Sequence, residues 1–275
     1  MEPFKWFDAF VDLTRLEATL VAETGLRVGQ GRSMESTMTD LPLLRSHDGK
    51  PLLPGASLKG VLRSAAERLL RGLAMNAGGD AARVACDPLL APCFRGGSDA
   101  MGDGDDTKET RGRVVEHRKQ VSDRACLACA TFGLAGLAAH VRFHDACAAG
   151  SAQVRDGVSI DRDLGRVSGG RKFDFEVVNA GARFPLLIEG ENLVDWQRGL
   201  LRASLRMVEG GGVRIGGFGS RGLGVCRVEE LTVTVRTLDD ILEARPGEMQ
   251  DEATQGRWMK ALREAVAERA RTEVG

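Results

Sequence analysis

The sequence predicts an α+β domain of the ferredoxin-like type, in which strands alternate with two helices in a split βαβ order. Three observations support this fold class. Residues 16–23 alternate apolar and polar side chains with the period of a half-buried strand. Apolar residues at helical spacing follow Pro54 and again follow Asn192. Short runs with strand periodicity lie between the two helices and after the second one.

Each element has its own local signal. The first strand leads into a long polar loop that ends at Lys50. Ser57 is the expected N-cap of the first helix, whose apolar stripe starts at Leu58. Asn192 is the expected N-cap of the second helix. Further strands are expected at residues 139–143, 173–177, 184–189 and 225–235, and a charged amphipathic helix at about residues 252–271.

The composition excludes several classes of protein. The chain of 275 residues has 38 Lys and Arg against 39 Asp and Glu, which rules out a uniformly basic nucleic-acid coat but allows a local basic groove. Its 6 cysteines are too few for a disulfide scaffold and indicate a reducing compartment. No signal-peptide pattern is seen, and the longest uncharged run, residues 125–141, is shorter than a membrane span of ~18 residues. We therefore expect a cytoplasmic protein without a membrane partner.

The turn into the first helix carries groups that suit a phosphate. The run Leu-Pro-Gly-Ala-Ser-Leu-Lys-Gly-Val-Leu-Arg at residues 53–63 places Ser57, Lys59 and Arg63 near a helix N-terminus. Free backbone amides and the helix dipole favour an anion at such a position. The alternative is an ordinary capped helix start, which these residues taken alone favour.

A glycine-rich loop at residues 213–224 is the second candidate site for an anion. Glycines at this density let the backbone approach a ligand closely and present its amides as an anion-binding nest. A glycine-rich hairpin without a ligand is the alternative. The candidate ligand-binding residues of this loop are Arg214, Gly216, Gly217, Gly219, Ser220, Arg221, Gly222 and Gly224.

At this separation the two motifs together resemble those of the RAMP superfamily of CRISPR-associated RNA-binding proteins. The run at residues 54–63 is similar to the P-G-S-S-L-K-G-x-x-R signature of that family, and the loop is similar to its G-x-x-x-x-G-x-G element. Residues 40–45, 157–162 and 172–178 resemble one branch of the family, the backbone subunit of type III effector complexes. The resemblance covers roughly residues 16–236.

The resemblance implies a domain organisation and a set of partners. Residues 1–240 would form an RRM-like RAMP domain with insertions at about residues 80–130 and 145–175. The first insertion would be supported by zinc, and the second would form a thumb-like β-hairpin that meets the guide–target duplex. Residues 241–275 would form a C-terminal helical extension. The partners would be CRISPR RNA, complementary target RNA, other RAMP subunits and the polymerase-like large subunit, in a prokaryotic cytoplasm.

The spacing of four cysteines indicates a metal site. Cys126 and Cys129 form a CxxC pair, and Cys86 and Cys93 lie upstream. A structural zinc ion takes four such ligands in a tetrahedron and would stabilise a segment with little apolar core. Because the upstream pair is widely spaced, His117 is a further candidate in place of Cys86 or Cys93. A redox-active CxxC is the alternative, although no βαβ redox context surrounds it, and the resemblance favours zinc because some RAMP subunits carry it at this place.

Asp40 is the candidate catalytic residue, a role that the resemblance implies. By itself it is a carboxylate in a polar loop ahead of Pro42, which is typical of a turn. In type III backbone subunits an aspartate at the matching place is needed to cut target RNA. Because the RNA supplies its 2′-OH as nucleophile, the protein need only splay one nucleotide into line and move a proton or hold Mg²⁺ or Mn²⁺.

Two alternatives to this function stay open at the level of the sequence. One is a non-catalytic structural subunit that only binds the guide RNA. The other is a guide-processing endonuclease, which normally needs a histidine near the first strand, and the only early histidine is His47. The preferred prediction is a metal-dependent endoribonuclease that cleaves guide-paired target RNA by transesterification.

Overall fold

The computed structural model describes residues 5–32, 39–93, 116, 119–121, 123–134 and 136–271. The strands are β1 (Asp12–Ala22), β2 (Leu52–Leu53), β3 (Val141–Phe143), β4 (Ala146–Cys147), β5 (Ala152–Ile160), β6 (Val167–Val178), β7 (Arg183–Glu191), β8 (Cys226–Thr237) and β9 (Glu248–Met249). The helices are α1 (Gly55–Asn76), α2 (Ala81–Val84), α3 (Leu127–Phe132), α4 (Asp195–Glu209), α5 (Leu238–Leu242) and α6 (Glu252–Arg271).

The central sheet has the spatial order β3–β7–β1–β8–β9, and each neighbouring pair in it is antiparallel. Along the chain, its main strands alternate with the two long helices as β1–α1–β3–β7–α4–β8. This is the split βαβ connectivity that the sequence predicts, so the mixed α/β architecture is consistent with a ferredoxin-like fold.

One face of the sheet packs against α1 and α4. Leu20 of β1 and Ile188 of β7 are fully buried, as are Leu62 of α1 and Leu200 of α4. Burial of each such side chain contributes roughly 1.5–3 kcal/mol. The apolar period of each segment therefore determines which side of it faces the core.

A separate two-stranded hairpin, β5–β6, occupies the segment in which a thumb was predicted. The strand expected at residues 173–177 belongs to this hairpin and not to the central sheet. The strand that pairs with it, β5, has no buried residue and therefore lacks the alternation of buried and exposed positions that marks a half-buried strand. At the base of the hairpin, Leu26 pairs with Val178 and Leu41 pairs with Phe175, which ties it to the loop after β1.

The expected N-cap of α1 was wrong. This helix begins at Gly55 with Pro54 as its cap residue, so Ser57 lies inside the first turn. The carboxylate of Asp145 accepts a hydrogen bond from the Gly55 N–H at 2.7 Å. A side chain distant in sequence therefore supplies the cap, and local sequence carries no signal for it.

The expected N-cap of α4 was also wrong. This helix begins at Asp195, and Asn192 has a left-handed backbone with a φ of 55°. The side-chain oxygen of Asn192 accepts a hydrogen bond from the Val11 N–H at 2.8 Å, so Asn192 fixes the segment that enters β1. This contact between residues far apart in the sequence, and not the local capping pattern, explains the asparagine at position 192.

The C-terminal helix α6 packs against α4 through buried Trp258 and Leu262. At Gly199 of α4 a β-carbon would lie 2.3 Å from the Trp258 carbonyl oxygen, so only glycine permits this approach. Helix α6 therefore shares the core with α4. Within the described residues, no helix combines the length and apolar character needed to cross a membrane.

Candidate nucleic-acid interface

A groove of about 610 Å³ opens between the start of α1, the glycine-rich loop and the segment after β1. We call it the Arg27 groove. The residues that line it are Arg27, Val28, Gly29, Gly31, Arg32, Leu41, Ser57, Gly60, Val61, Gly216 and Gly217. The two RNA-binding motifs identified in the sequence therefore face one another across a single groove.

Arg27 is a buried cation in the wall of this groove. The residue is 7% exposed, and its Nε and Nη2 atoms have no hydrogen-bond partner in the part of the chain that the structure describes. Burial lowers the pKa of the guanidinium, and the carboxylate of Glu176 acts in the opposite direction. A buried donor without a hydrogen-bond partner costs roughly 1–3 kcal/mol. An anion bound in the groove would supply the missing partner.

The glycine-rich loop is held against the backbone of Arg27. The Gly217 N–H donates a hydrogen bond to the Arg27 carbonyl oxygen at 2.7 Å. Gly216 has a φ of 83°, and a β-carbon there would lie 2.3 Å from the same oxygen. Both the backbone conformation and the space therefore require glycine at position 216.

Phe218 joins the glycine-rich loop to the hairpin. It is a non-glycine residue with a φ of 62°, a backbone conformation that needs support from its surroundings. Its ring meets the Phe175 ring edge-on at 5.1 Å between centroids. The guanidinium carbons of Arg27 and Arg221 lie 5.1 Å and 4.6 Å from its centroid. These contacts compensate the strained backbone and position both arginines.

Asp40 lies in an adjoining cavity of about 500 Å³, which we call the Asp40 cavity. The residues that line it are Arg32, Asp40, Leu41, Ser159, Lys172, Phe173, Phe218 and Arg221. Arg32 and Leu41 also line the Arg27 groove, so the two form a continuous surface. Asp40 is thus a carboxylate among cationic and aromatic side chains.

Strand β6 holds Asp40 in place. The Asp40 N–H donates to the Asp174 carboxylate at 2.6 Å, and the Asp174 N–H donates to Asp40 Oδ2 at 3.1 Å. The hydrogen bonds of Leu41 with the backbone of Asp174 and Glu176 extend this pairing. One carboxylate oxygen of Asp40, Oδ1, takes no part in the exchange.

The structure brings together only some of the predicted RNA-binding residues. Ser57, Gly216 and Gly217 line the Arg27 groove, and Arg221 lines the Asp40 cavity with the predicted catalytic Asp40. The predicted residues outside both linings are Lys59, Arg63, Arg214, Gly219, Ser220, Gly222 and Gly224.

The protein already uses part of the predicted amide nest. The N–H of Gly217 donates to Arg27, that of Gly222 to Gly219 and that of Gly224 to Gly25. These three amides brace the loop. The exposed polar side chains of this loop are Arg214, Ser220 and Arg221.

Two cations of α1, Lys59 and Arg63, have different surroundings. Lys59 is half-buried, and burial together with the charge of Arg63 lowers the pKa of its ammonium group. Arg63 points to the cysteine segments, because it donates to the Gly133 carbonyl at 3.0 Å and to Cys129 Sγ at 3.4 Å.

The open face of the sheet carries ion pairs. Arg15 of β1 contacts Glu189 of β7 at 2.7 Å, and Arg183 of β7 contacts Glu229 of β8 at 2.7 Å. RRM domains stack bases on aromatic side chains of this face. In this protein the cations of the face are paired with carboxylates, so the exposed Arg27 groove is the better candidate for RNA.

The four cysteines named as metal ligands come together. The Sγ atoms of Cys86, Cys93, Cys126 and Cys129 all lie within 4.8 Å of one another, and those of Cys86 and Cys129 are 3.6 Å apart. Zinc–sulfur bonds of about 2.3 Å in a tetrahedron place sulfurs about 3.8 Å apart. Hydrogen bonds with Cys126 and Cys129 lower the pKa of Cys93, whereas a hydrogen bond with Cys126 raises the pKa of Cys86 and of Cys129. The set therefore fits a tetrahedral zinc ion.

Neither His117 as a zinc ligand nor a divalent ion at Asp40 gains support from the described residues. His117 lies outside the described residues, and the four cysteines complete a ligand set without it. Among the described residues, Asp40 belongs to no group of three potential metal ligands. The predicted Mg²⁺ or Mn²⁺ is therefore without structural support, and an ion bound there would need ligands from RNA.

Sequence reasoning missed several residues of the interface, foremost Arg27. The signal was a charged residue flanked by Leu26 and Val28, with glycines at positions 25 and 29. That pattern places a cation in a segment with buried neighbours and room for close approach. Lys172, Phe173 and Phe218 were also missed, because only the packing of the hairpin against the loop brings them to Asp40.

The split βαβ sheet is consistent with a ferredoxin-like domain, which has a groove between α1 and the glycine-rich loop. The model of one family, the RAMP superfamily, matches residues 19–227, from within β1 to within β8. The chain belongs to the RAMP superfamily, and this membership indicates a CRISPR-associated RNA-binding role. No curated protein matched the sequence.

Proposed function

We propose that the chain is the backbone subunit of a type III CRISPR effector complex and that the Arg27 groove holds the phosphate backbone of the guide RNA. The observation that carries the proposal is the buried guanidinium of Arg27, whose Nε and Nη2 atoms have no hydrogen-bond partner among the described residues, opposite Ser57 and the glycine-rich loop. RNA offers a phosphate at every nucleotide, and the planar guanidinium matches its oxygens. Other RAMP subunits and the polymerase-like large subunit would be the protein partners.

Three of the predicted cations, Lys59, Arg214 and Arg221, extend the phosphate path from this groove. Arg221 is exposed and stacked on Phe218, and Arg214 is exposed on the same loop. Lys59 is on the first turn of α1, two residues after Ser57. Because phosphate contacts carry no sequence information, this set suits a subunit that binds any guide.

The Asp40 cavity supports target-RNA cleavage as the chemical step. The 2′-oxygen of one splayed nucleotide attacks the adjacent phosphorus, its proton passes to a base, and the 5′-oxygen leaves with a proton. Asp40 is positioned by Asp174 to accept or orient the 2′-OH proton. Arg32, Lys172 and Arg221 would stabilise the charge that develops on the phosphate. A divalent ion, if bound with the RNA, would supply further charge stabilisation.

The arrangement of Asp40 also favours a second candidate, the non-catalytic guide-binding subunit. The reciprocal hydrogen bonds between Asp40 and Asp174 make a sufficient structural reason for a carboxylate at position 40. In that case Asp40 would connect the loop to the hairpin and nothing more. His47 is exposed on a turn and lines neither cavity, which disfavours the guide-processing alternative.

Zinc in the four-cysteine set would have a structural role. The four cysteines link the segment after α2 to α3. A structural zinc ion contributes directly to folding free energy in such segments.

The deciding experiment uses the assembled complex and a guide-matched target RNA on a denaturing gel. We expect regularly spaced cuts with 2′,3′-cyclic phosphate ends, and no cut where a 2′-deoxynucleotide replaces the scissile residue. Cutting of the 2′-deoxy site at the normal rate contradicts transesterification. Guide binding without any cutting supports the structural subunit.

A further inference from the structure

A ladder of three charged residues lies along one side of α1. Arg63, Glu67 and Arg71 are spaced at four-residue intervals, so they lie on the same face of the helix. Arg63 Nε donates to Glu67 at 2.9 Å, and Arg71 Nη2 lies 4.0 Å from the other Glu67 oxygen. The carboxylate of Glu67 therefore orients both arginines.

Each arginine holds one half of the cysteine cluster. Arg71 donates to the Cys86 carbonyl at 2.8 Å and to the Ala85 carbonyl at 3.2 Å. Arg63 donates to the Cys129 sulfur at 3.4 Å and to the Gly133 carbonyl at 3.0 Å. The upstream and downstream ligand segments are thus fixed to one rigid helix.

The sulfurs receive other hydrogen bonds from the backbone. The Cys126 N–H donates to Cys93, and the N–H groups of Cys86 and Cys129 donate to Cys126, each at 3.4 Å. Among the described donors to these sulfurs, Arg63 is the charged one. Four thiolates around a divalent ion carry a net charge of about −2, which a nearby cation stabilises in a buried site.

From these contacts we propose that Arg63 is a positioning residue of a four-cysteine metal centre, working with Glu67 and Arg71, and is not a contact to guide phosphate. Partners around a metal site orient its ligands and change metal affinity by 10–100-fold when removed. The proposal assigns to Arg63 a role different from the one that its place in the family signature predicts. It does not depend on whether the subunit cuts RNA.

The test is a competition between the full-length protein and a chromogenic chelator for Zn²⁺, together with the visible spectrum of the Co²⁺-substituted protein. We expect Arg63→Gln to weaken metal binding by roughly 10–100-fold and to shift the sulfur-to-cobalt charge-transfer band. Arg63→Lys keeps the charge but loses the forked geometry, so an intermediate effect is expected. Arg71→Gln should also weaken binding, without shifting the band as strongly, because it contacts carbonyls only.

Arg68→Gln is the matched control. Arg68 is an exposed arginine of the same helix, and its hydrogen bond goes to the Gly212 carbonyl, away from the cysteines. This variant should bind Zn²⁺ and Co²⁺ like the parent chain. The Arg63→Lys variant keeps the test decisive if Arg63→Gln does not fold.

The salt dependence of guide-RNA binding distinguishes this positioning role of Arg63 from a phosphate contact. With metal bound, Arg63→Gln should leave the salt dependence of guide affinity unchanged, whereas loss of one phosphate contact lowers the slope by about one unit. Unchanged metal affinity with a reduced slope would overturn the proposal and restore Arg63 as a guide contact. A parent chain that binds neither Zn²⁺ nor Co²⁺ would overturn it as well, and would leave the proposed guide binding at Arg27 intact.

Discussion

Asp40 and Asp174 exchange hydrogen bonds, because the backbone N–H of each donates to the carboxylate of the other at 2.6 Å and 3.1 Å. The carboxylate of Asp40 is thereby fixed at the wall of a cavity that also presents Lys172 and Arg221. A carboxylate cannot itself attract phosphate, so a functional role for Asp40 must lie in the reacting geometry.

The first prediction concerns Asp40→Ala in the assembled complex. Loss of a group that acts only in the transition state lowers the rate without weakening binding, by roughly 10²–10⁴-fold for a general base. We expect that loss in single-turnover cleavage of target RNA, with guide and target affinities within about twofold of the parent chain. Asp174→Asn keeps a side-chain acceptor for the Asp40 N–H and serves as control. Cleavage at the parent rate by Asp40→Ala would support the structural subunit instead.

The second prediction separates stability from binding at Arg27. An apolar replacement of similar length removes a buried cation whose Nε and Nη2 atoms lack hydrogen-bond partners among the described residues, and replacing buried charges in this way often stabilises a protein by about 1–4 kcal/mol. Arg27→Met should therefore raise the melting temperature of the RNA-free chain and weaken the binding of every guide alike. The slope of log affinity against log salt should fall by about one unit. Arg206→Met on the exposed surface of α4 is the control, with neither effect.

The third prediction concerns the cysteine cluster. Cys126→Ser with Cys129→Ser removes two of four ligands, so we expect the protein to lose its zinc and to unfold at a lower temperature. Metal analysis after dialysis and thermal denaturation measure the two effects. Cys147→Ser changes a cysteine outside the cluster and should alter neither. Zinc content that survives the double substitution rules out this site.

The fourth prediction concerns the hairpin β5–β6. Val154, Val158 and Ile160 are exposed on it, at 55%, 43% and 64%. If the hairpin meets the guide–target duplex, limited proteolysis of this segment should slow when guide and target RNA bind. Equal rates of nicking with and without RNA would count against the thumb role. Nicking in the exposed segment at residues 241–246 gives an internal reference.

The fifth prediction is a pH dependence of stability from His140. This residue is 1% exposed, its ring stacks on Phe7 at 4.4 Å between centroids, and burial lowers the pKa of its imidazole. The imidazole therefore binds a proton more readily in the unfolded chain than in the folded one. The contribution of His140 to the free energy of unfolding should be complete above about pH 6.5 and should fall as the pH drops below that value. Denaturant titrations between pH 7 and pH 5 measure it. A His140→Gln variant should lose part of this slope, and His47→Gln, which removes an exposed histidine, should keep it.

The sequence was a good guide to elements with strong apolar periods. The strand at residues 16–23 lies within β1 (Asp12–Ala22) apart from its last residue, and the helix after Pro54 is present as α1. Burial of one face imposes a period on the sequence, and that period is readable without a structure. The family resemblance, which rested on two short motifs, is confirmed by the match to the RAMP superfamily.

The interface was less accessible to sequence reasoning, because its residues come from four separate parts of the chain. Asp40, Lys172 and Arg221 meet through the pairing of Leu41 with β6 and the contact of Phe218 with Phe175. Long-range pairing of this kind leaves no local pattern. The direction of Arg63 was unpredictable for the same reason, since its partners Cys129 and Gly133 lie about 70 positions away.

The pairing of β6 with the loop before α1 has a mechanical consequence. Leu41 and Asp40 are bonded to Asp174 and Glu176, while Leu26 is bonded to Val178 two residues further along. A force on the tip of the hairpin is therefore transmitted to Leu41, which lines both cavities, and to Asp40. A slip of β6 by one residue, about 3.3 Å, would turn the Asp174 side chain to the opposite side and release Asp40. Displacement of the hairpin would in this way change the orientation of the Asp40 carboxylate.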